Sequence, residues 1–281
     1  MYLTKKNRAG LFLTFGGYCF IYLSALPLMI TDSVPTGTEW VASLMLILQG
    51  LAATTWVMIN YGWRRGLLAA GMVLLLSFVI ETVGVLTGFP FGQYYYTDIL
   101  APKLFIVPVG IMFAWLMMTL SSFFMARFII SRLMPRLNAA RLIIVLSATL
   151  AMISDTQMEP VAFHVKDYWR WETSGQYYGV PISNFVAWLI ISLLLLTVLN
   201  RIVGDDQTWR TNNSKRKPHF NFVPITLYLM NLILFAAVNF SHAFYAAGII
   251  GLSVTLLILY LALGGPLNRG MAFFRRHPEL D

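Results

Sequence analysis

The sequence predicts an all-α, polytopic transmembrane helical bundle of about eight helices, with residues 1–281 forming a single integral membrane domain. Hydrophobic residues make up 58% of the chain and charged residues only 11%, which is far more apolar than a soluble domain of this length requires. The apolar residues fall in runs of about 20, the length of a membrane-spanning helix. Basic residues gather in alternate connections between these runs.

Eight apolar runs, bounded by charged residues or by Gly and Pro clusters, are long enough to span a membrane. The last two are separated only by Ser241 to Tyr245, so they require a tight turn. The predicted helices cover residues 11–31, 40–60, 66–88, 104–130, 139–160, 181–203, 222–240 and 246–264.

The distribution of Lys and Arg predicts the orientation, because cytoplasmic connections carry an excess of both. Alternate connections and the two chain ends hold every Lys and Arg except Lys103, Lys166 and Arg170. We therefore expect both termini, and a polar linker at 204–220, on the cytoplasmic side of a bacterial cytoplasmic membrane. The net charge of +8 then reflects topology and contact with anionic lipids, and no nucleic-acid partner is expected.

The sequence lacks the residues that several classes of function require. The single cysteine, Cys19, excludes an intrachain disulfide and a multi-cysteine metal site. The four histidines form no HxxxH or HxxHH box for di-iron chemistry, so neither a metal nor a cofactor is predicted; a haem between His164 and His242 is the alternative. The sequence also lacks a DDxxD pair, a GxSxG motif and a phosphate-binding glycine loop.

Two connections on the side opposite the basic ones, 88–103 and 161–180, are long, aromatic and nearly neutral. Each contains Gly-Gln-Tyr-Tyr, at 92–95 and 175–178, and each follows a helix with a carboxylate near its end. This pattern is typical of a weak two-helix repeat. Because only four residues are shared, chance similarity is the competing explanation.

Three carboxylates, Glu81, Asp155 and Glu159, lie inside predicted helices near these loops. Charged side chains within membrane helices are costly, and they usually face the bundle interior and serve a function. The i, i+4 spacing of Asp155 and Glu159 puts both on one helix face. Because two close carboxyl groups in a low dielectric do not both ionise cheaply, at least one is expected to stay protonated and act as a general acid. A bond to a neighbouring helix and contact with interfacial water are the structural alternatives.

Aromatic side chains crowd the two neutral loops at the level of the carboxylates. An interfacial aromatic belt is one explanation. The functional explanation is a lined mouth that grips an apolar substrate and whose ring faces stabilise a transient cation. The residues expected to contact a substrate are Phe91, Gln93, Tyr94, Tyr95, Tyr96, Trp169, Trp171, Tyr177 and Tyr178, together with Asn184 in the helix that follows the second loop.

Residues 81–200 resemble the carotenoid biosynthesis protein family, which includes carotenoid 1,2-hydratases. The resemblance comprises the Glu81 helix followed by GFPFGQYYYTD, and then SDTQMEPVAFHVKDYWRWETSGQYYGVPISNFVAW. It implies that 81–200 is the catalytic core. Glu159 stands where the family commonly has Asp before the Pro, and a Gly is often found in the family near Val186 or Ala187. These departures bear on which carotenoid is used.

The resemblance implies a cofactor-independent hydratase, a carbon–oxygen lyase that acts on an acyclic carotenoid. In this hypothesis a protonated Asp155 or Glu159 delivers a proton to C2 of the terminal C1–C2 double bond. Aromatic faces stabilise the tertiary cation at C1, and a water held by Glu81 or Asn184 adds to it. Membrane lipids surround the protein, and a glycosyltransferase that collects the alcohol is a further candidate partner.

Two other classes stay open. Another isoprenoid- or lipid-modifying enzyme, such as a cyclase or an acyl transferase, would share the buried acids. A small proton-coupled transporter would use them for coupling, although its helices normally break near the midplane and the breaks here lie at helix ends. Product mass separates the classes, because hydration adds one water, cyclisation leaves the mass unchanged and transport alters no pigment.

Overall fold

The protein is described by a computed structural model over residues 5–134, 140–204 and 223–263. Within these ranges the structure confirms the predicted helical bundle. It contains eight helices, and each is long and apolar enough to cross a membrane. The helices are α1 (Lys5–Ile30), α2 (Trp40–Tyr61), α3 (Trp63–Thr87), α4 (Val109–Leu133), α5 (Ala140–Pro160), α6 (Ile182–Val203), α7 (Val223–Ser241) and α8 (Tyr245–Ala262).

The helix bounds lie within a few residues of the predicted ones, except at the starts of α1 and α4. Helix α1 begins at Lys5 because the polar residues before the apolar run continue the helix. Helix α4 begins at Val109, not at residue 104, because strand β2 (Lys103–Leu104) pairs with strand β3 (Val107–Pro108). The predicted start of α4 was therefore wrong.

Two helix connections are very short. Gly62 alone separates α2 from α3, with φ of 99°, a backbone conformation that is open to glycine and strained for other residues. Helix α7 ends at Ser241 and α8 begins at Tyr245, so these helices meet in the tight turn expected from the sequence.

Helix α4 is the centre of the bundle and packs against α2, α3, α5 and α7. Its buried residues include polar and apolar side chains on all sides, from Gly110 to Ile130. A helix at the centre of a bundle is expected to be buried around its whole circumference. Peripheral helices instead expose large apolar side chains, such as Phe12 on α1 and Leu256 on α8, which suits contact with lipid tails.

Helices α3 and α5 finish where α4 and α6 begin, and we call this end of the bundle the upper end. The two aromatic loops meet there, because strand β1 (Tyr94–Tyr96) of the first loop pairs with strand β4 (Trp169–Trp171) of the second. The predicted linker at 204–220 lies outside the described residues beyond Gly204. The cytoplasmic placement of the termini, the single domain and the catalytic core at 81–200 stay predictions.

Candidate active site

A cavity that opens to the surface lies at the upper end, between α3, α4, α5 and α6, and it holds about 420 Å³ of non-atom space including its open mouth. Apolar and aromatic side chains dominate its wall. The cavity is lined by Glu81, Phe91, Tyr94, Tyr96, Ile111, Ala114, Trp115, Met158, Glu159, Trp169, Trp171, Asn184 and Trp188.

The paired strands β1 and β4 cover this cavity. Alternate side chains of a strand point to opposite faces, so the small sheet has an inner and an outer face. Its outer face carries Tyr95 and Arg170, which lie opposite each other in the register. Its inner face lines the cavity, and we call it the aromatic roof, made of Tyr94, Tyr96, Trp169 and Trp171.

A π-helical turn (Val161–Val165) after α5 brings strand β4 back over the end of that helix. The turn follows Pro160, which has no N–H to continue the regular hydrogen-bond pattern. The Lys166 N–H donates to the Val161 carbonyl over 2.9 Å, which is the wider i to i−5 closure of a π-helix. As a result, Trp169 reaches the carboxyl group of Glu159 only ten residues earlier in the chain.

Three short hydrogen bonds hold the Glu81 carboxyl group on α3. The hydroxyls of Tyr94 and Tyr96 donate to Oε2 over 2.6 and 2.7 Å, and the Trp115 Nε1–H donates to Oε1 over 2.6 Å. Burial raises the pKa of both tyrosine hydroxyls well above the usual value, and the neighbouring Glu81 carboxyl raises it further. Both phenols therefore remain donors.

Three longer hydrogen bonds hold the Glu159 carboxyl group on α5. The indole N–H groups of Trp169 and Trp171 donate to Oε2 over 3.0 and 3.1 Å. The Asn184 amide nitrogen donates to Oε1 over 3.1 Å. Strand β1 thus supplies phenols to Glu81, whereas strand β4 supplies indoles to Glu159.

Asp155 lies behind Glu159 and is fully buried, and it does not line the cavity. The Asn184 amide nitrogen, which also bonds Glu159, donates to Asp155 Oδ2 over 2.8 Å. Among the described residues Oδ1 of Asp155 has no hydrogen-bond partner. Asn184 therefore connects the two carboxyl groups of α5.

The cavity lining combines carboxyl groups with no basic side chain. Of the described residues that line it, two are carboxylic acids and none is Lys, Arg or His. Across residues 5–134, 140–204 and 223–263, no three His, Cys, Asp or Glu side chains form a group able to hold a metal ion. Two acids and many aromatic rings around one cavity favour a guest that carries or develops positive charge.

The inner end of the cavity is a stacked pair of tryptophans that the sequence analysis missed. Trp115 on α4 and Trp188 on α6 have ring centroids 3.8 Å apart and an interplanar angle of 10°. Trp188 lies four residues after Asn184, so both face the same side of α6, and this spacing could have found it. No comparable spacing in the sequence marks the other lining residues Trp115, Ile111, Ala114 and Met158.

Four residues predicted to contact a substrate lie outside the cavity lining. Gln93 donates to the Thr87 carbonyl, and Tyr95 is exposed on the outer face of the sheet. The Tyr177 hydroxyl donates to the Thr156 carbonyl. The Tyr178 hydroxyl accepts from the Ala246 N–H, at the start of α8.

The two Gly-Gln-Tyr-Tyr segments therefore make different contacts. The first supplies β1 and the bond to Glu81. The second closes a turn on itself through bridges between residues 175 and 179 and between 177 and 180, and it contacts α8. Near it, the ring nitrogen Nε2 of His164 lies 2.7 Å from the Tyr178 carbonyl oxygen, while His242 Nδ1 lies 3.0 Å from the Val238 carbonyl oxygen.

A family model described as carotenoid biosynthesis protein matches residues 41–258. The match includes all four helices and both loops that build the cavity. The chain belongs to this family. The family resemblance seen in the sequence is thereby confirmed, and the match extends beyond residues 81–200 on both sides.

This carotenoid biosynthesis protein has a relative in Haloarcula japonica named bisanhydrobacterioruberin hydratase, which is 33% identical over 130 residues. The aligned part is 45% of this chain and 42% of the relative, so the chain matches less than half of the relative's length. No solved structure matches the chain.

The positions expected to depart from the family pattern differ in their relation to the cavity. Glu159 lines it. Val186 is exposed on the outside of α6, and Ala187 is buried but lies outside the cavity lining. Of these three residues, only Glu159 forms part of the cavity wall.

Proposed function

We propose that this protein is a carotenoid hydratase that adds water across the terminal C1–C2 double bond of an acyclic carotenoid end group. One observation carries the proposal: two carboxyl groups with different hydrogen-bond partners face one aromatic cavity that has no basic side chain in its lining. Alkene hydration needs an acid, a base and a place for a cation. The family and the name of the relative support the substrate class.

We assign the ionised state to Glu81. Hydrogen bonds to a charged oxygen are shorter than neutral ones, with O–H···O⁻ distances of about 2.5 to 2.7 Å. The bonds from Tyr94 and Tyr96 fall in this range, and the bond from Trp115 is equally short. A carboxylate has about four acceptor positions, so three donors leave one position for a water molecule.

We assign the protonated state to Glu159. Its three bonds, at 3.0 to 3.1 Å, have the length of neutral N–H···O bonds. Oε2 accepts two of them and serves as the carbonyl oxygen. Oε1 accepts only one, from Asn184, so it can carry the proton and present it to the cavity.

The reaction then balances without a redox step. The Glu159 proton moves to C2, the C1–C2 π bond supplies the electron pair, and C1 becomes a tertiary cation. The oxygen of a water bound to Glu81 forms the C–O bond at C1, and its proton passes to the Glu81 carboxylate. Proton exchange with water returns Glu81 and Glu159 to their starting states.

Asp155 serves this reaction through Asn184 in our proposal. Because Asp155 lies outside the cavity lining, its carboxyl group does not reach the substrate directly. Its Oδ2 accepts one Asn184 amide hydrogen and thereby directs the other toward Glu159. The bond to Asp155 therefore fixes the orientation in which Asn184 meets the acid.

In this proposal the cavity receives only the end group of the carotenoid, and the polyene lies among the helices and lipid tails. The site lies near the upper helix ends, where water is close. We place the enzyme in the cytoplasmic membrane. The reaction as written uses no metal and no cofactor.

Expression of the protein in a bacterium that makes lycopene or another acyclic carotenoid tests this proposal. We expect chromatography and mass spectrometry to show a product heavier by one water, and growth in ¹⁸O-water to label its hydroxyl group. An isomer of unchanged mass would indicate a cyclase, which could use the same acid and cation site. Unaltered pigment in cells that contain the folded protein would overturn the proposal.

A further inference from the structure

We propose that the stacked pair Trp115–Trp188 is the surface on which the C1 cation forms. This inference rests on the proposed hydration and deepens it. It assigns cation stabilisation to two side chains of the membrane helices, whereas the sequence suggested the aromatic loops.

We call the pair the floor of the cavity, because it lines the cavity from the membrane helices, whereas the aromatic roof belongs to the loop strands. Trp115 and Trp188 each lie six residues after the first residue of their helix, which is a depth of about 9 Å from the upper end. Both rings are nearly inaccessible to solvent, with 2% and 6% exposure. An end group that reaches Glu159 lies between this floor and the roof.

The roof and the floor differ in how their rings are held. All four roof residues, and Trp115 of the floor, turn a polar edge atom toward a carboxyl group, so those bonds set their positions. In the pair the rings stack nearly parallel, and each covers one face of the other. Trp188 thereby supports the ring of Trp115, whose N–H is fixed on Glu81.

A tryptophan ring face is the best aromatic partner for a cation, and the attraction strengthens when water is excluded. The Glu81 carboxylate next to the pair adds negative charge at the same place. A cation at C1 would therefore meet the π electrons of the floor while the water that captures it is held by Glu81. The floor stabilises the transition state more than the neutral alkene, which raises kcat rather than lowering KM.

The test is a substitution series at Trp188 with a matched series at Trp56. Trp56 on α2 is also buried and packs against Phe124, but it does not line the cavity. We expect Trp188→Phe to lose a few-fold and Trp188→Leu about 30-fold in kcat, the effect of a desolvated cation–π contact. KM should change by less than about three-fold, because the substitution removes an interaction with the transition state and leaves binding of the neutral substrate largely unchanged.

Ligand binding gives a second measurement that does not depend on turnover. The probe is an isoprenoid amine in which a protonated dimethylamino group replaces the C1 centre, and it is compared with the matching hydrocarbon. The wild type should bind the ammonium compound more tightly than the hydrocarbon. Trp188→Leu should lose most of that preference, whereas Trp188→Phe and Trp56→Leu should retain it.

Equal kcat in Trp188→Leu and Trp56→Leu, or an unchanged ammonium preference in folded Trp188→Leu, would overturn the assignment while leaving hydration intact. Absence of hydrated product from the folded wild type would instead overturn the proposed function, and this inference with it.

Discussion

Glu81 and Glu159 are the same residue type, line the same cavity and accept three hydrogen bonds each, yet their surroundings differ. Glu81 accepts two phenol bonds and one indole bond of 2.6 to 2.7 Å. Glu159 accepts two indole bonds and one amide bond of 3.0 to 3.1 Å. In the proposed reaction, the acid and the base therefore differ in their hydrogen-bond donors.

The two strands of the roof produce this difference. Tyr94 and Tyr96 on β1 serve one carboxyl group, while Trp169 and Trp171 on β4 serve the other. The i, i+2 spacing on each strand points both partners inward. The small sheet thus determines which donors bond the carboxyl groups of α3 and α5. Each carboxyl group can therefore be tested by substitutions in the strand that bonds it.

The largest effect should come from Glu159→Gln, which keeps the shape of the acid and removes its proton. We expect a loss of about 10³-fold in kcat, within the range of general acid catalysis. Hydrated product is measured by chromatography. Glu172→Gln, at an exposed acid of the same loop, is the control and should be fully active. An active Glu159→Gln enzyme would remove the acid assignment.

Glu81→Gln should cost about 10²-fold, because cation formation survives but capture of the cation by water loses its base. The cation can then lose a methyl proton instead, giving a double-bond isomer of unchanged mass. We expect this isomer from Glu81→Gln and not from Glu159→Gln. The reverse pattern would exchange the two roles.

The sequence predicts most of the bundle, because runs of apolar residues and the placement of basic residues are local signals. It also brings Glu81, Asp155 and Glu159 to one end of the bundle. The start of α4 was predicted too early in the chain, because the pairing of Lys103–Leu104 with Val107–Pro108 lies within an apolar run. Strands of two or three residues leave too short a pattern to be recognised.

The assembly of the site could not be predicted, because it depends on contacts distant in sequence. Strand β1 pairs with β4 some 75 residues later, and only this register separates inward Tyr94 from outward Tyr95. Likewise, Trp115 resembles any other apolar residue of its helix until α4 and α6 pack together, and only the four-residue spacing from Asn184 marks Trp188 in the sequence. Tyr177 and Tyr178 share a motif with β1 but lie elsewhere, because a motif does not fix its partner.

Two substitutions at Asp155 distinguish a positioning role for this residue from a role as the proton donor. Asp155→Asn retains an acceptor oxygen for Asn184, so we expect kcat within about three-fold of the wild type. Asp155→Ala loses that acceptor and should cost about 10-fold, the effect of one hydrogen bond to a polar group. Both rates are measured as initial formation of hydrated product. If Asp155→Asn were as inactive as Glu159→Gln, Asp155 itself would be the proton donor.

The smallest effects should appear on the outer face of the sheet. Arg170 forms a two-pronged ion pair with Asp167, with both distances 2.7 Å, and its proximity holds the pKa of that carboxyl below its usual value. Exposed ion pairs contribute little to stability, and neither Arg170 nor Tyr95 lines the cavity. Arg170→Ala and Tyr95→Phe should therefore change kcat less than about two-fold.

Tyr96→Phe, one residue away on the inner face, removes a donor from Glu81 and should cost about five- to ten-fold. The chemical change is the same as in Tyr95→Phe, the loss of one phenol oxygen. Parallel assays of the two variants therefore compare the faces directly. Equal losses in both would mean that the strand register does not decide which hydroxyl serves the carboxylate, and the distinction between Glu81 and Glu159 would lose its structural basis.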